Sequence, residues 1–242
     1  MNNEIETERC VELQRQLDRA NQSFADFVCR AAHDMRECLR QVDSFSQLMA
    51  ESFSGDLESE NGVYLRQIRQ GVIDLQSLLT GMVDYWSTGM DRPQTSPVDM
   101  EGIVSQALLY CEHQISDRNA IVTHDPLPIV TGDFEVLTRV LHHLIRNGIE
   151  YSGAAVPRIH VSSQKVGSEW VFSVTDNGPG IEPEFHGHLF HAFKRLHGKE
   201  YPGNGLGLAF CKKTIEWMGG RMWLEIPRGA GSTFCFTVAA VE

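Results

Sequence analysis

No apolar run in this sequence reaches the roughly 18 residues that a membrane-spanning helix requires, so no segment is expected to cross a bilayer in that form. The start of the chain, Met1 to Glu12, lacks the basic and apolar stretches of a signal peptide, which places the chain in the cytoplasm as an expectation. Positive charge is scarce too. With 21 Lys and Arg against 32 Asp and Glu, the formal net charge is −11, which argues against general nucleic-acid binding because phosphate contacts need a basic surface. The six cysteines, Cys10, Cys29, Cys38, Cys111, Cys211 and Cys235, are scattered without a C-x-x-C pair. Neither a disulfide framework nor a zinc knuckle follows from that spacing, and reduced, mostly buried thiols are expected. Internal repeats, low-complexity tracts and a P-loop are also missing, so a nucleotide site would have to follow another design.

At 242 residues the chain can bury a sizeable core, and its periodicities favour two domains. From Cys10 the apolar residues fall at Cys10, Leu13, Leu17, Ala20, Phe24, Phe27 and Ala31, a heptad seam that predicts a long helix. After a polar stretch from Glu51 to Asn61, a second seam runs through Leu65, Ile68, Val72, Leu75, Leu79, Met82 and Trp86. Two such helices joined by a short loop make a hairpin. Each carries more apolar surface than a lone hairpin covers, so a homodimer closing as a four-helix bundle is predicted. Gly89 to Pro97 contains two prolines and reads as a linker. The expected organisation is a coiled lead-in over 1–25, the hairpin over 26–90, a linker over 91–97 and a second domain over 98–242.

That second domain reads as helix (Met100 to Ser116), short strand (Ile121 to Thr123) and helix (Phe134 to Tyr151), then strands at Arg158 to Lys165 and Trp170 to Thr175. A long loop, a helix (Leu206 to Met218) and a terminal hairpin (Met222 to Ile226, Ser232 to Val238) follow. Elements grouped in this way suggest an α+β sandwich of sheet against helices. Within it lie two glycine loops, Asp176-Asn177-Gly178-Pro179-Gly180 and Gly203-Asn204-Gly205-Leu206-Gly207-Leu208, and a helix-borne Asn147. Glycines let backbone N–H groups approach phosphate oxygens, and the second loop runs into a helix whose first amides favour anions. A phosphate-handling site is inferred.

On the first helix His33 occupies an outward position and is followed by Asp34, Met35, Arg36 and Glu37. Alone, it reads as a solvated surface histidine. The ten residues from Ala31 to Arg40, however, resemble the phosphoacceptor box of sensor histidine kinases, of the subgroup related to phytochrome-type kinases. Four further boxes of that family are matched in order. Leu141 to Tyr151 resembles its N box, Asp176 to Gly180 its first glycine box, Leu189 to Leu196 its phenylalanine-containing box, and Gly203 to Leu208 its second glycine box.

The resemblance implies a phosphotransfer hairpin followed by an ATP-binding domain of the GHKL (Bergerat) type under a lid. Asp176 would accept the adenine amino group, Tyr151 pack on the base, and Asn147 hold Mg²⁺ on the phosphates. Gly178, Gly180, Gly203, Gly205, Leu206 and Gly207 would shape the ATP site, with Lys194, Arg195 and Lys199 neutralising charge. His33 would receive the γ-phosphoryl group of ATP on Nε2, with Asp34 holding the Nδ1 proton and Glu37 orienting the nucleophile. A response-regulator receiver domain would then take the phosphoryl group, and an upstream sensor domain or protein would supply the signal.

Three positions depart from the family pattern: Cys38 replaces the usual proline, His143 the earlier asparagine of the N box, and Glu150 a basic residue. They leave open an alternative, a weak or inactive kinase-like module that docks a receiver or another kinase. An ATPase resembling the MutL branch of the superfamily is a third reading, but it gives His33 and the heptads no purpose. The histidines His186, His188, His191 and His197 show no recognised metal-ligand spacing.

Overall fold

The computed structural model describes all residues except 1, 53–59, 90–93, 154, 195–203, 226–230 and 242. The chain divides into two compact units, Met1–Met90 and Asp91–Glu242. In the first, α1 (Asn2–Ser52) and α2 (Glu60–Ser87) pack as an antiparallel hairpin, with Phe24 edge-on to Trp86 at 4.6 Å. The loop between them falls largely outside the described residues. The seam expected through Leu13, Leu17, Phe24 and Phe27 is exposed; the hairpin closes instead on Ala25, Val28 and Ala32, one position along. Small side chains there let the two backbones approach, and Leu65, Val72 and Leu79 fill the α2 side at every seventh residue. The alternate seam positions on α2, Ile68 and Leu75, are exposed. Helix α1 continues unbroken through Cys38. No helix among the described residues is long and apolar enough to cross a membrane.

The second unit contains a seven-stranded mixed sheet in the order β1-β3-β7-β5-β4-β2, with β6 also pairing β7. Its strands are β1 (Ser96–Asp99), β2 (Ile121–His124), β3 (Ile129–Gly132), β4 (Arg158–Val166), β5 (Glu169–Asp176), β6 (Met222–Glu225) and β7 (Thr233–Ala240). Among the described residues only the β2–β4 pairing is parallel. Two short strands, β1 and β3, were not predicted, and β1 takes up Ser96 and Pro97 from the stretch read as linker. The helix expected over Met100 to Ser116 is two: α3 (Met100–Tyr110), capped by Asp99 Oδ1 on the Glu101 N–H at 3.1 Å, and α4 (Glu112–Arg118). They part at Cys111, whose backbone leaves the helical region. Helices α5 (Phe134–Glu150) and α6 (Gly207–Trp217) complete the unit.

A two-residue turn at Gly167-Ser168, with Gly167 at φ 61°, sets the β4–β5 register and keeps Ile159, Val161, Phe172 and Val174 on the buried face. Phe172 stacks on Phe236 of β7 at 5.3 Å. Met100 and Ile103 of α3, Leu137, Leu141, Leu144 and Ile145 of α5, and Phe210 and Ile215 of α6 are also fully buried. Each such side chain contributes about 1.5–3 kcal/mol of hydrophobic stabilisation. This is the expected sandwich of helices and a mixed sheet.

Candidate functional site

Helix α5 positions one wall of the site. Asp133 caps it, accepting the Val136 N–H at 3.1 Å, and its apolar stripe from Val136 to Ile149 is buried. The remaining edge presents His143, Arg146, Asn147 and Glu150, spaced at steps that fall on one helical face. Gly148 lets α5 press close to β4 and β5: a Cβ there would lie 2.8 Å from Ile159 Cγ1 and 3.4 Å from the Asp176 Cβ. Any larger residue would collide with Ile159 and crowd Asp176.

Asp176 ends β5 and is held by backbone groups. Its N–H donates to the Ser232 carbonyl at 2.9 Å, and its Oδ1 accepts the N–H groups of Gly178 at 2.8 Å and Ser232 at 3.1 Å. Its other oxygen, Oδ2, accepts no hydrogen bond among the described residues. Burial pushes its pKa above the ordinary carboxylate value, and the two N–H donors only partly oppose this. Asn177 is turned away to tie down the start of β4, accepting the Arg158 N–H at 2.8 Å and donating to the Val156 carbonyl at 3.0 Å. Gly231 faces the Asp176 carbonyl so closely that a Cβ would lie 2.0 Å from it, and its φ is 105°. Gly231→Ala is therefore expected to lower stability by about 3 kcal/mol or more, read as a fall in the denaturation midpoint.

The second glycine loop is built by similar close approaches. Gly205 (φ 70°) accepts the Phe193 N–H at 3.0 Å, and a Cβ would meet the Lys194 carbonyl at 2.7 Å. That contact sets Lys194 in the wall. Asn204 Oδ1 accepts the Leu206 N–H at 3.1 Å, and Gly207 opens α6.

These elements surround an open cleft of about 860 Å³, a volume that includes solvent space at its mouth. Asn147, Tyr151, Asp176, Gly180, Lys194, Gly205 and Gly207 all line it, as do Arg146, Glu150, Asn204 and Ser232. Two predicted residues do not. Gly178 serves Asp176 from behind, and Leu206 turns its side chain into the core with its N–H already held by Asn204. Arg195, Lys199 and Gly203 lie outside the described residues. Sequence reading missed Arg146 as a site residue; its i, i+4 spacing to Glu150 was the available signal. The two form an ion pair at 3.6 Å, Nε to Oε1. Burial raises the Glu150 pKa while Arg146 and Arg118 pull it down. Burial, then Arg146, lowers His142 to about 4, and burial together with Arg146, His142 and Arg139 holds His143 well below the ordinary imidazole value, so both rings are neutral at pH 7.

In the histidine-rich stretch, His186 Nε2 is tied to the Ile181 carbonyl at 2.8 Å, and no group of three His, Cys, Asp or Glu among the described residues is placed to hold a metal. In the first unit, His33 is 75% and Asp34 84% exposed in their side chains, with Nδ1 and Oδ1 3.4 Å apart. Glu37 is engaged by Arg40 rather than by His33.

The cleft thus joins a half-buried carboxylate, an asparagine and two glycine loops on a mixed sheet. Residues 132–242 match the family described as histidine kinase-, DNA gyrase B-, and HSP90-like ATPase. The chain carries the ATPase domain of a sensor histidine kinase. Cyanobacterial phytochrome A of Nostoc sp. is 34% identical to this chain over 234 residues, 96% of the chain and 31% of the relative. The chain thus spans about a third of that relative's length. Full-length ShkA in complex with AMPPNP shares the fold over 89% of this chain and 46% of its own, at a TM-score of 0.69 and 23% identity. Histidine kinase ThkA in complex with the response regulator protein TrrA does so over 89% and 61%, at a TM-score of 0.61 and 21% identity.

Proposed function

We propose that this chain is an ATP-dependent protein-histidine kinase that phosphorylates its own His33 and passes the phosphoryl group to an aspartate of a response-regulator receiver domain. The observation that carries the reading is the exposed His33–Asp34 pair on a chain whose second unit holds the Asp176 cleft. Asp176 Oδ2 would accept the adenine amino group, while Oδ1 stays on Gly178 and Ser232. Tyr151 and the apolar wall residues would flank the base. The Asn147 side chain, without a hydrogen-bond partner among the described residues, fits a Mg²⁺ ligand; the ion would neutralise phosphate charge when bound with ATP. Lys194 and the start of α6 would receive the phosphates.

With Nδ1–H directed at Asp34, the Nε2 lone pair attacks the γ-phosphorus; the N–P bond forms as the bond to the β,γ-bridging oxygen breaks, and ADP leaves. Asp34 stabilises the imidazolium that results. Exposed Phe45, Met49, Ile68 and Leu75 on the hairpin support a homodimer through this unit, with input from an upstream sensor domain or protein. The Arg146–Glu150 pair favours a second reading, a docking module with weak nucleotide binding. Incubation with radiolabelled ATP and Mg²⁺ separates the two: acid-labile, alkali-stable label is expected on the chain, and its absence despite demonstrated ATP binding would select the docking module.

A further inference from the structure

Arg146 lines the cleft, yet its Nε is buried and has no hydrogen-bond partner among the described residues; the nearest anion is Glu150, at ion-pair rather than hydrogen-bond distance. One turn earlier on the same face, His143 Nδ1 is likewise buried and unpartnered among those residues. Both side chains converge on the start of α6. A Cβ placed on Gly207 would sit 3.3 Å from His143 Nδ1 and 3.9 Å from Arg146 Nη2. The first amides of α6, an 11-residue helix, have no intrahelical partners, so a guanidinium with spare donors stands beside a helix N-terminus at the cleft wall. That donor set suits an anion with several oxygens, for which the forked guanidinium is well shaped.

We infer that Arg146 is the cation that grips the phosphates of the nucleotide, and that Glu150 is its resident competitor, which the phosphates must displace. This rests on the nucleotide reading above and adds a determinant to it. The missing basic residue at position 150 is then replaced by one at 146, and the carboxylate at 150 weakens the grip. A competing carboxylate acts on the phosphates and not on the base, so its effect scales with phosphate number. Burial raises the Glu150 pKa against the pull of Arg146 and, less, of Arg118, as expected for a carboxylate held at some cost.

The test is binding of ATP, ADP and adenosine to the full chain and to Arg146→Met, Glu150→Gln and the double variant. Arg146→Met is expected to weaken ATP about tenfold or more, and Glu150→Gln to tighten it several-fold, both with adenosine affinity unchanged. Adenosine binding also reports that each variant is folded. In the double variant the gain from Glu150→Gln should vanish, because the competitor acts through Arg146. ATP affinity indifferent to both substitutions, or adenosine weakened equally with ATP, would overturn this inference and leave the nucleotide site standing. An unsubstituted chain that binds neither ligand would overturn both.

Discussion

Asp176→Asn is expected to remove ATP binding without lowering the melting temperature. The substituted side chain has one forced orientation. Its Oδ1 must keep the N–H groups of Gly178 and Ser232, at 2.8 and 3.1 Å, because a flip would set an amide NH₂ against two backbone donors. The NH₂ group then stands where Oδ2 stood, facing the adenine amino group donor to donor. A charge-assisted hydrogen bond worth about 1.5–3 kcal/mol is lost and two donors are left unmade, so affinity should fall at least about a hundredfold.

Stability follows the opposite sign. The folded-state pKa of Asp176 is raised, so its stabilising contribution belongs to the protonated form, present below the unfolded pKa and lost as pH rises through the folded one. At neutral pH the ionised carboxylate is thus a net cost to the fold, and asparagine removes it. Melting curves should place the variant at or above the unsubstituted protein at pH 7, with the gap closing as pH falls through the raised pKa. A variant that melts lower at pH 7 would show that the carboxylate holds its loop by more than the two hydrogen bonds. One that binds ATP normally would mean that Asp176 does not read the base.

The parts of this site that were legible in the sequence are those where backbone geometry dictates residue type. Gly180 and Gly205 take positive φ, which favours glycine, and at Gly207 a Cβ would crowd the His143 ring at 3.3 Å, so the loops stand out. Strong periodicity exposed α5, and with it Asn147. Less was legible where two answers share one pattern. In α1 two adjacent apolar stripes run side by side, and the heptad spacing does not say which one packs inside the hairpin; the small residues Ala25, Val28 and Ala32 decide it by permitting close approach. The four-residue strands β1 and β3 are too short for an alternation to show. Gly178 and Leu206 illustrate a different limit: motif membership does not say whether a residue faces the ligand or supports one that does. Arg146 was overlooked because its i, i+4 spacing to Glu150 reads equally as an ordinary ion pair on a helix surface until the helix face that lines the cleft is known.

His33→Gln is expected to abolish phosphorylation while ATP affinity and stability stay unchanged. The side chain is 75% exposed in the middle of a long helix, and glutamine is at least as good a helix former, so no structural loss is expected. What is lost is the exposed ring nitrogen of the proposed acceptor, beside the Asp34 carboxylate. In the proposed reaction Asp34 Oδ1, 3.4 Å from Nδ1, would hold the tautomer that leaves Nε2 unprotonated and would offset the positive charge that develops on the ring. Asp34→Asn is the graded companion: the nucleophile survives but its orienting charge does not, and the initial rate should drop by about 10²-fold, with phosphoryl group still arriving on His33. Single-turnover labelling with saturating ATP distinguishes this from a binding defect. Label persisting in His33→Gln would move the acceptor elsewhere on the chain. Unchanged rates in Asp34→Asn would leave His33 as nucleophile but remove its partner from the chemistry, since the exposed hydrogen bond would then be only a surface contact.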